Sequence, residues 1–167
     1  VAMNLTIKTI VIGCLILGFT GCSKEDTPAA VILATTTPVA QTKTELLIDK
    51  NWVTTAATLS PGYTDSLTGI FITDYLSVLP ACIKDDFILF NTNGNYTDDE
   101  GALKCDSIDP QTQTGTWAFD STEEIIILDG LDSLDIQTLS ATALIITFPE
   151  EISPGTISTV TMTLEKQ

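Results

Sequence analysis

The feature that most constrains this chain is the stretch from Ala81 to Phe119, ACIKDDFILFNTNGNYTDDEGALKCDSIDPQTQTGTWAF. In Phe87-Ile88-Leu89-Phe90 a short apolar run ends at Asn91-Thr92-Asn93-Gly94, residues that tolerate positive φ, and Tyr96 then resumes an extended pattern. The reading is strand, turn, strand. Cys82 precedes the first arm and Cys105 follows the second, where the two arms of such a hairpin come back side by side. A bond between them would close a loop worth about 3 kcal/mol in the chain-entropy model. Zinc ligation by the same cysteines is disfavoured, because the chain has no His and no second close cysteine.

The same extended logic runs through what flanks this stretch. Trp52 leads into Val53 to Leu59, small and β-branched until Ser60-Pro61-Gly62, which predicts a turn. Thr68 to Thr73 reads as a strand, and Asp74 caps a single helical turn that Pro80 terminates and that should plug one end of the sheet. Gly115, Trp117 and Phe119 share one face of a strand. Ile125 to Leu128 is apolar on both faces, Asp129-Gly130 begins a turn, and Leu134 and Ile136 then alternate with polar neighbours. Leu144, Ile146 and Phe148 give the next strand its inner face, with Pro149 helping to stop it, and Val160, Met162 and Leu164 do the same for the last. About eight short strands joined by brief turns predict an all-β fold, a closed antiparallel barrel or a sandwich. Closure is favoured because it removes exposed edges.

The beginning of the chain carries an address. From Thr9 to Thr20 it is almost wholly apolar, preceded by Lys8, which is a charged region followed by an apolar segment too short to span a bilayer. Gly18-Phe19-Thr20-Gly21-Cys22 resembles a bacterial lipobox, so residues 1–21 are expected to be a lipoprotein signal peptide and Cys22 the acylated residue. Ser23-Lys24-Glu25-Asp26 looks like a surface-export signal. With Thr/Ala-rich, proline-containing sequence to Thr44, residues 22–44 read as a flexible tether, and residues 45–167 as one folded domain. The expected location is the outer membrane, lipid-anchored and exposed at the cell surface.

Charge and composition exclude several functions. The formal net charge is −15, with no Arg and no His, so nucleic acid is a poor partner and imidazole chemistry is absent. Asn91 to Glu100 is rich in oxygen ligands, but its glycine is at the fourth place and Ala102 at the twelfth, which does not fit an EF-hand loop. Asp85 and Asp86 cannot converge as an acid–base pair if both are extended, because adjacent strand residues point to opposite faces. No nucleophile motif or phosphate-cradling loop is present, so no enzyme activity, cofactor or metal is expected.

A family resemblance adds to these readings. Leader and lipobox, the early Trp52, Asp74-Tyr75 running to Leu79-Pro80-Ala81-Cys82-Ile83-Lys84-Asp85-Asp86, the Phe90 to Tyr96 turn, Cys105 and Gly115-Thr116-Trp117 together resemble the lipocalin-like domain lipoproteins of Bacteroidota. The resemblance implies an eight-stranded up-and-down β-barrel with Cys82 joined to Cys105, and supplies architecture more than activity. The expected function is binding of a small apolar or amphipathic ligand between the strands, with Trp52, Phe87, Leu89, Trp117 and Phe119 as its lining. In small barrels such tryptophans more often close one end as core. The alternative is a structural or interaction lipoprotein with a filled barrel that docks to another envelope protein. An interior of about 300 Å³ or more would favour the ligand.

Overall fold

A computed structural model describes residues 40–167; the signal peptide, Cys22, the export signal Ser23–Asp26 and most of the tether lie outside them. The first element, α1 (Lys43–Leu47), starts inside the stretch read as tether. Its signal is local: Thr42 accepts from Glu45 N and the Glu45 carboxylate accepts from Thr42 N, a reciprocal capping box. β1 (Asn51–Thr64) follows, then β2 (Phe71–Asp74), the single turns α2 (Tyr75–Val78) and α3 (Ala81–Lys84), and the strands β3 (Phe87–Phe90), β4 (Asn95–Asp99), β5 (Thr112–Phe119), β6 (Ile125–Leu128), β7 (Asp132–Leu139), β8 (Ala143–Ser153) and β9 (Thr156–Lys166).

Strands β3 to β9 pair each with the next, antiparallel throughout, and β1 pairs with both β3 and β9. The sheet therefore closes into the expected eight-stranded up-and-down barrel. β2 is an extra ribbon that pairs only with the far half of β1. Cys82 and Cys105 are joined, with Cα atoms 5.1 Å apart, tying α3 to the β4–β5 loop. Asp85 reinforces that tie, its Oδ2 accepting from Ala102 N at 2.7 Å and Leu103 N at 2.9 Å.

Two proline readings need correction. β1 runs through Ser60-Pro61-Gly62 and β8 through Pro149, instead of ending there. Both prolines lie where pairing is incomplete. Pro61 sits in the irregularity between Thr58 and Tyr63 of the β1–β2 ladder, and β8 beyond Thr147 pairs with β9 alone. A proline costs no ladder bond on a strand side without a partner.

The two barrel ends differ. At one, α1 crosses and inserts Leu47, which is fully buried against Trp52. Trp52 Nε1 donates to Leu47 O at 2.8 Å, and Asp49 N to Phe90 O at 2.9 Å. This corrects a second expectation: α2 is capped by Asp74 as read, but buries no residue, and α1 is the plug. The opposite end is the mouth, carrying the β1–β2 hairpin, α2, α3, the disulfide-tied loop and the β6–β7 and β8–β9 turns.

Candidate functional site: a half-filled barrel with a split wall

Strand alternation decides what faces inward. Trp52 pairs with Ile88, and Phe90 with Tyr96, so Ile88 and Phe90 share the inner face with Trp52. On β5, Gly115, Trp117 and Phe119 face inward as read. The β3–β6 side of the interior is filled by aromatic packing, Trp117 lying edge-on between Phe90 (ring centroids 5.6 Å) and Phe119 (5.4 Å). Tyr96 crosses Gly115 and donates to Asp129 Oδ2 at 2.9 Å. A Cβ on Gly115 would sit 2.5 Å from the Tyr96 ring and 2.6 Å from the Asp129 carboxylate, so only glycine leaves room. Burial first, and the bond to Asp129 second, push the Tyr96 hydroxyl up to about 12.

The other side is not filled. A cavity of about 190 Å³ is lined by Ile88 and Phe90 from β3, Leu134 from β7, and Met162 and Leu164 from β9. β8 adds Leu144, Ile146 and Phe148, one at every second residue. All of these side chains are apolar. The volume is below the roughly 300 Å³ typical of drug-sized sites. It exceeds the ~150 Å³ of an apolar cavity that stays dry and binds benzene.

A second hollow adjoins the cavity. β7 begins at Asp132 and β8 continues to Ser153, yet their pairing stops at Asp135 and Thr147. Between the diverging strands lies a pocket of about 520 Å³, whose wall includes Leu128, Leu131, Asp132, Pro149 and Glu150. It shares Leu134 and Phe148 with the inner cavity. Pro149 stands at the split, so the residue read as a strand stop marks the portal.

The residues expected to line a ligand are placed differently. Trp52 is core at the plugged end, and Trp117 and Phe119 pack against the core cluster beside the cavity without lining it. Phe87 and Leu89 are on the outer face, and Ile88 and Phe90 take the inner one. β3 is apolar on both faces, and its outer side chains Phe87 and Leu89 are half-buried, Phe87 bordering a hollow that Gly101 and Ala102 of the disulfide-tied loop also line. Composition alone therefore could not choose between them. The lining from β7, β8 and β9 was legible as a core face, but nothing in it marked a cavity.

Acids gather on the mouth side of β3 and β4. Asp86 is half-buried and precedes Ile88 by two residues, and Asp98 pairs directly with Ile88, so both lie on the inner face. Desolvation, then Glu100, Asp98, Asp85 and Asp99, push the Asp86 carboxyl up to about 6. Its Oδ1 is buried without a hydrogen-bond partner. Among the described residues no group of three His, Cys, Asp or Glu side chains is placed to hold a metal ion.

An acid with a raised pKa binds its proton more tightly folded than unfolded, so Asp86 favours the fold below about pH 4 and progressively loses that contribution as pH rises to about 6. Asp86→Asn is expected to raise Tm at pH 7 and to flatten the fall in Tm between pH 4 and 6. Thermal melts across that range check it; an unchanged slope would assign the pH dependence elsewhere.

Set against protein-family models, curated proteins and solved structures, the chain matches none.

Proposed function

We propose that this chain is a lipid-anchored envelope lipoprotein whose barrel binds a small apolar or amphipathic molecule, held in the inner cavity and admitted between β7 and β8. The observation that supports binding is that the two spaces are neighbours, sharing Leu134 and Phe148 in their walls. An apolar group of about benzene size fits the inner space alone, and the rest of a larger molecule would occupy the portal. Native mass spectrometry of the purified chain and titration with the fluorescent probe N-phenyl-1-naphthylamine test the reading. Leu134→Trp, placed where the two spaces meet, is expected to abolish probe binding while leaving the far-ultraviolet circular dichroism unchanged. Full probe affinity in a folded Leu134→Trp variant would move the site elsewhere.

The address is part of the same proposal. Acylation at Cys22 and outward export directed by Ser23-Lys24-Glu25-Asp26 would place the barrel at the cell surface. Cys22→Ala is expected to release the protein from membranes. Lys24→Gln/Glu25→Gln/Asp26→Asn is expected to protect it from protease added to intact cells. No change in either assay would refute the address.

A second reading, docking to another envelope protein, is favoured by two observations, the first being that the inner cavity, at about 190 Å³, is below the roughly 300 Å³ that would favour a ligand. The second is that exposed large apolar side chains lie on mouth-end segments, among them Leu67 (94 % exposed), Ile108 (87 %) and Leu131 (83 %).

A further inference from the structure

We propose that the ligand is a cationic amphiphile, its apolar part in the cavity and an ammonium group at the mouth. This rests on the binding function above; the cavity carries it, and the charges around the opening decide the sign of the headgroup.

The inner cavity offers a bound molecule no polar partner, so any polar group must lie towards the opening. There the portal wall contains two carboxylates, Asp132 and Glu150. Across the barrel, Asp98 is the register partner of the cavity-lining Ile88, and Asp86 precedes Ile88 on the same face. Compensating cations do not line either space, although two of them, Lys84 and Lys104, stand on mouth-end segments. With no Arg or His in the chain, the described cations are five lysines, and none lines the cavity or the portal. Lys43 and Lys50 bond backbone carbonyls at the plugged end, to Glu123 O at 2.6 Å and Glu45 O at 2.8 Å. Lys84 bonds Ser77 O at 3.3 Å, Lys104 bonds Asp109 O, and Lys166 ends β9 beside the plug.

A fatty-acid carboxylate would therefore place its charge among like charges with no donor cation. An ammonium there gains from the same field, since a cleft lined by one sign of charge with low-dielectric walls concentrates ions of the other. The crowding of Asp86 by Asp98 and Glu100, without a metal-binding arrangement among the described residues, fits an organic cation supplied from outside.

The test is displacement of N-phenyl-1-naphthylamine from the purified chain at pH 7.5 by dodecylammonium, dodecanol and dodecanoate, each below its micelle concentration. Dodecylammonium is expected to displace the probe at a concentration about tenfold or more below that of dodecanoate, with dodecanol between them. Raising NaCl from about 20 mM to about 500 mM should shrink the preference. Asp132→Asn/Glu150→Gln should reduce it, whereas Glu124→Gln/Glu165→Gln near the plugged end should not. Equal or tighter binding of dodecanoate overturns the headgroup assignment and leaves apolar binding standing. A preference lowered equally by both double variants also overturns it, reducing it to the overall charge. Failure of the probe and all three compounds to bind overturns the binding function and the headgroup proposal together.

Discussion

Trp52→Ala is expected to destabilise the domain by about 4 kcal/mol, the largest single-residue effect in the structure. Trp52 has no exposed surface and sits at the centre of the plug, touching the element that closes the barrel and donating to Leu47 O at 2.8 Å. Truncation removes the largest buried side chain and also strands a carbonyl in an apolar site, which alone costs about 1–3 kcal/mol. The other moorings of α1 are Leu47 itself, the Asp49 N to Phe90 O bond, the Lys43 contact to Glu123 O and the Lys50 contacts to Glu45 O and Leu46 O. Five residues do not hold a helix by their own propensity. Its order is therefore expected to be lost with the indole. Trp52→Phe, which keeps ring packing and loses the donor, separates the terms and is expected to cost about 1–2 kcal/mol. Guanidinium denaturation monitored by circular dichroism measures both. A loss below about 1 kcal/mol for Trp52→Ala would mean that the plug is not part of the cooperative fold.

Cys82→Ser/Cys105→Ser is expected to cost about 3 kcal/mol and to lower Tm by about 10 °C. The two cysteines are 23 residues apart, so the bond removes a sizeable closed loop from the freedom of the unfolded chain. The folded state has independent clamps on the same loop. The Asp85 carboxylate holds Ala102 and Leu103, and Gln111 Nε2 donates to Asp99 Oδ1 at 2.8 Å and Gly101 O at 2.9 Å. The serine variant should therefore remain folded at room temperature. Because neither cysteine lines the cavity or the portal, its probe affinity should match that of the parent. Thermal melts of parent and variant check the first part, and probe titration the second. A Tm within about 2 °C of the parent would show that closing this loop takes little freedom from the unfolded chain.

How far the fold was legible follows from the range of the rules involved. The hairpin from Phe87 to Asp99, the Asp129-Gly130 turn with positive φ at both residues, the Asp74 cap and the alternation of β8 and β9 each depend on neighbours in sequence, and each was readable. Counting strands left a barrel or a sandwich, the removal of exposed edges favoured closure, and the eight-stranded up-and-down order came from the family resemblance. The inner face of β3 was not legible, because Phe87 and Leu89 are as apolar a pair as Ile88 and Phe90 and alternation alone has nothing to choose between them. The capping box at Thr42 and Glu45 was present in the letters, hidden in a stretch whose composition pointed to tether. The portal depends on something that neighbours in sequence do not specify: the point at which β7 and β8 part. Pro149 is its one trace in the sequence, and was read there as an ending.

The site follows the same division. Residues chosen for aromatic size were drawn into packing, where large flat side chains bury most surface. The space was left between aliphatic side chains on β7, β8 and β9, which differ in no sequence feature from an ordinary core face.

Methyl-detected nuclear magnetic resonance during titration with N-phenyl-1-naphthylamine tests the central claim most directly. Shifts are expected at Ile88, Leu134, Ile146 and Met162, which line the inner space, with Ile70 and Ile108 on the mouth-end loops unmoved. Shifts confined to those loop residues, with the interior methyls silent, would contradict a ligand-binding interior and leave the barrel as a scaffold for its loops.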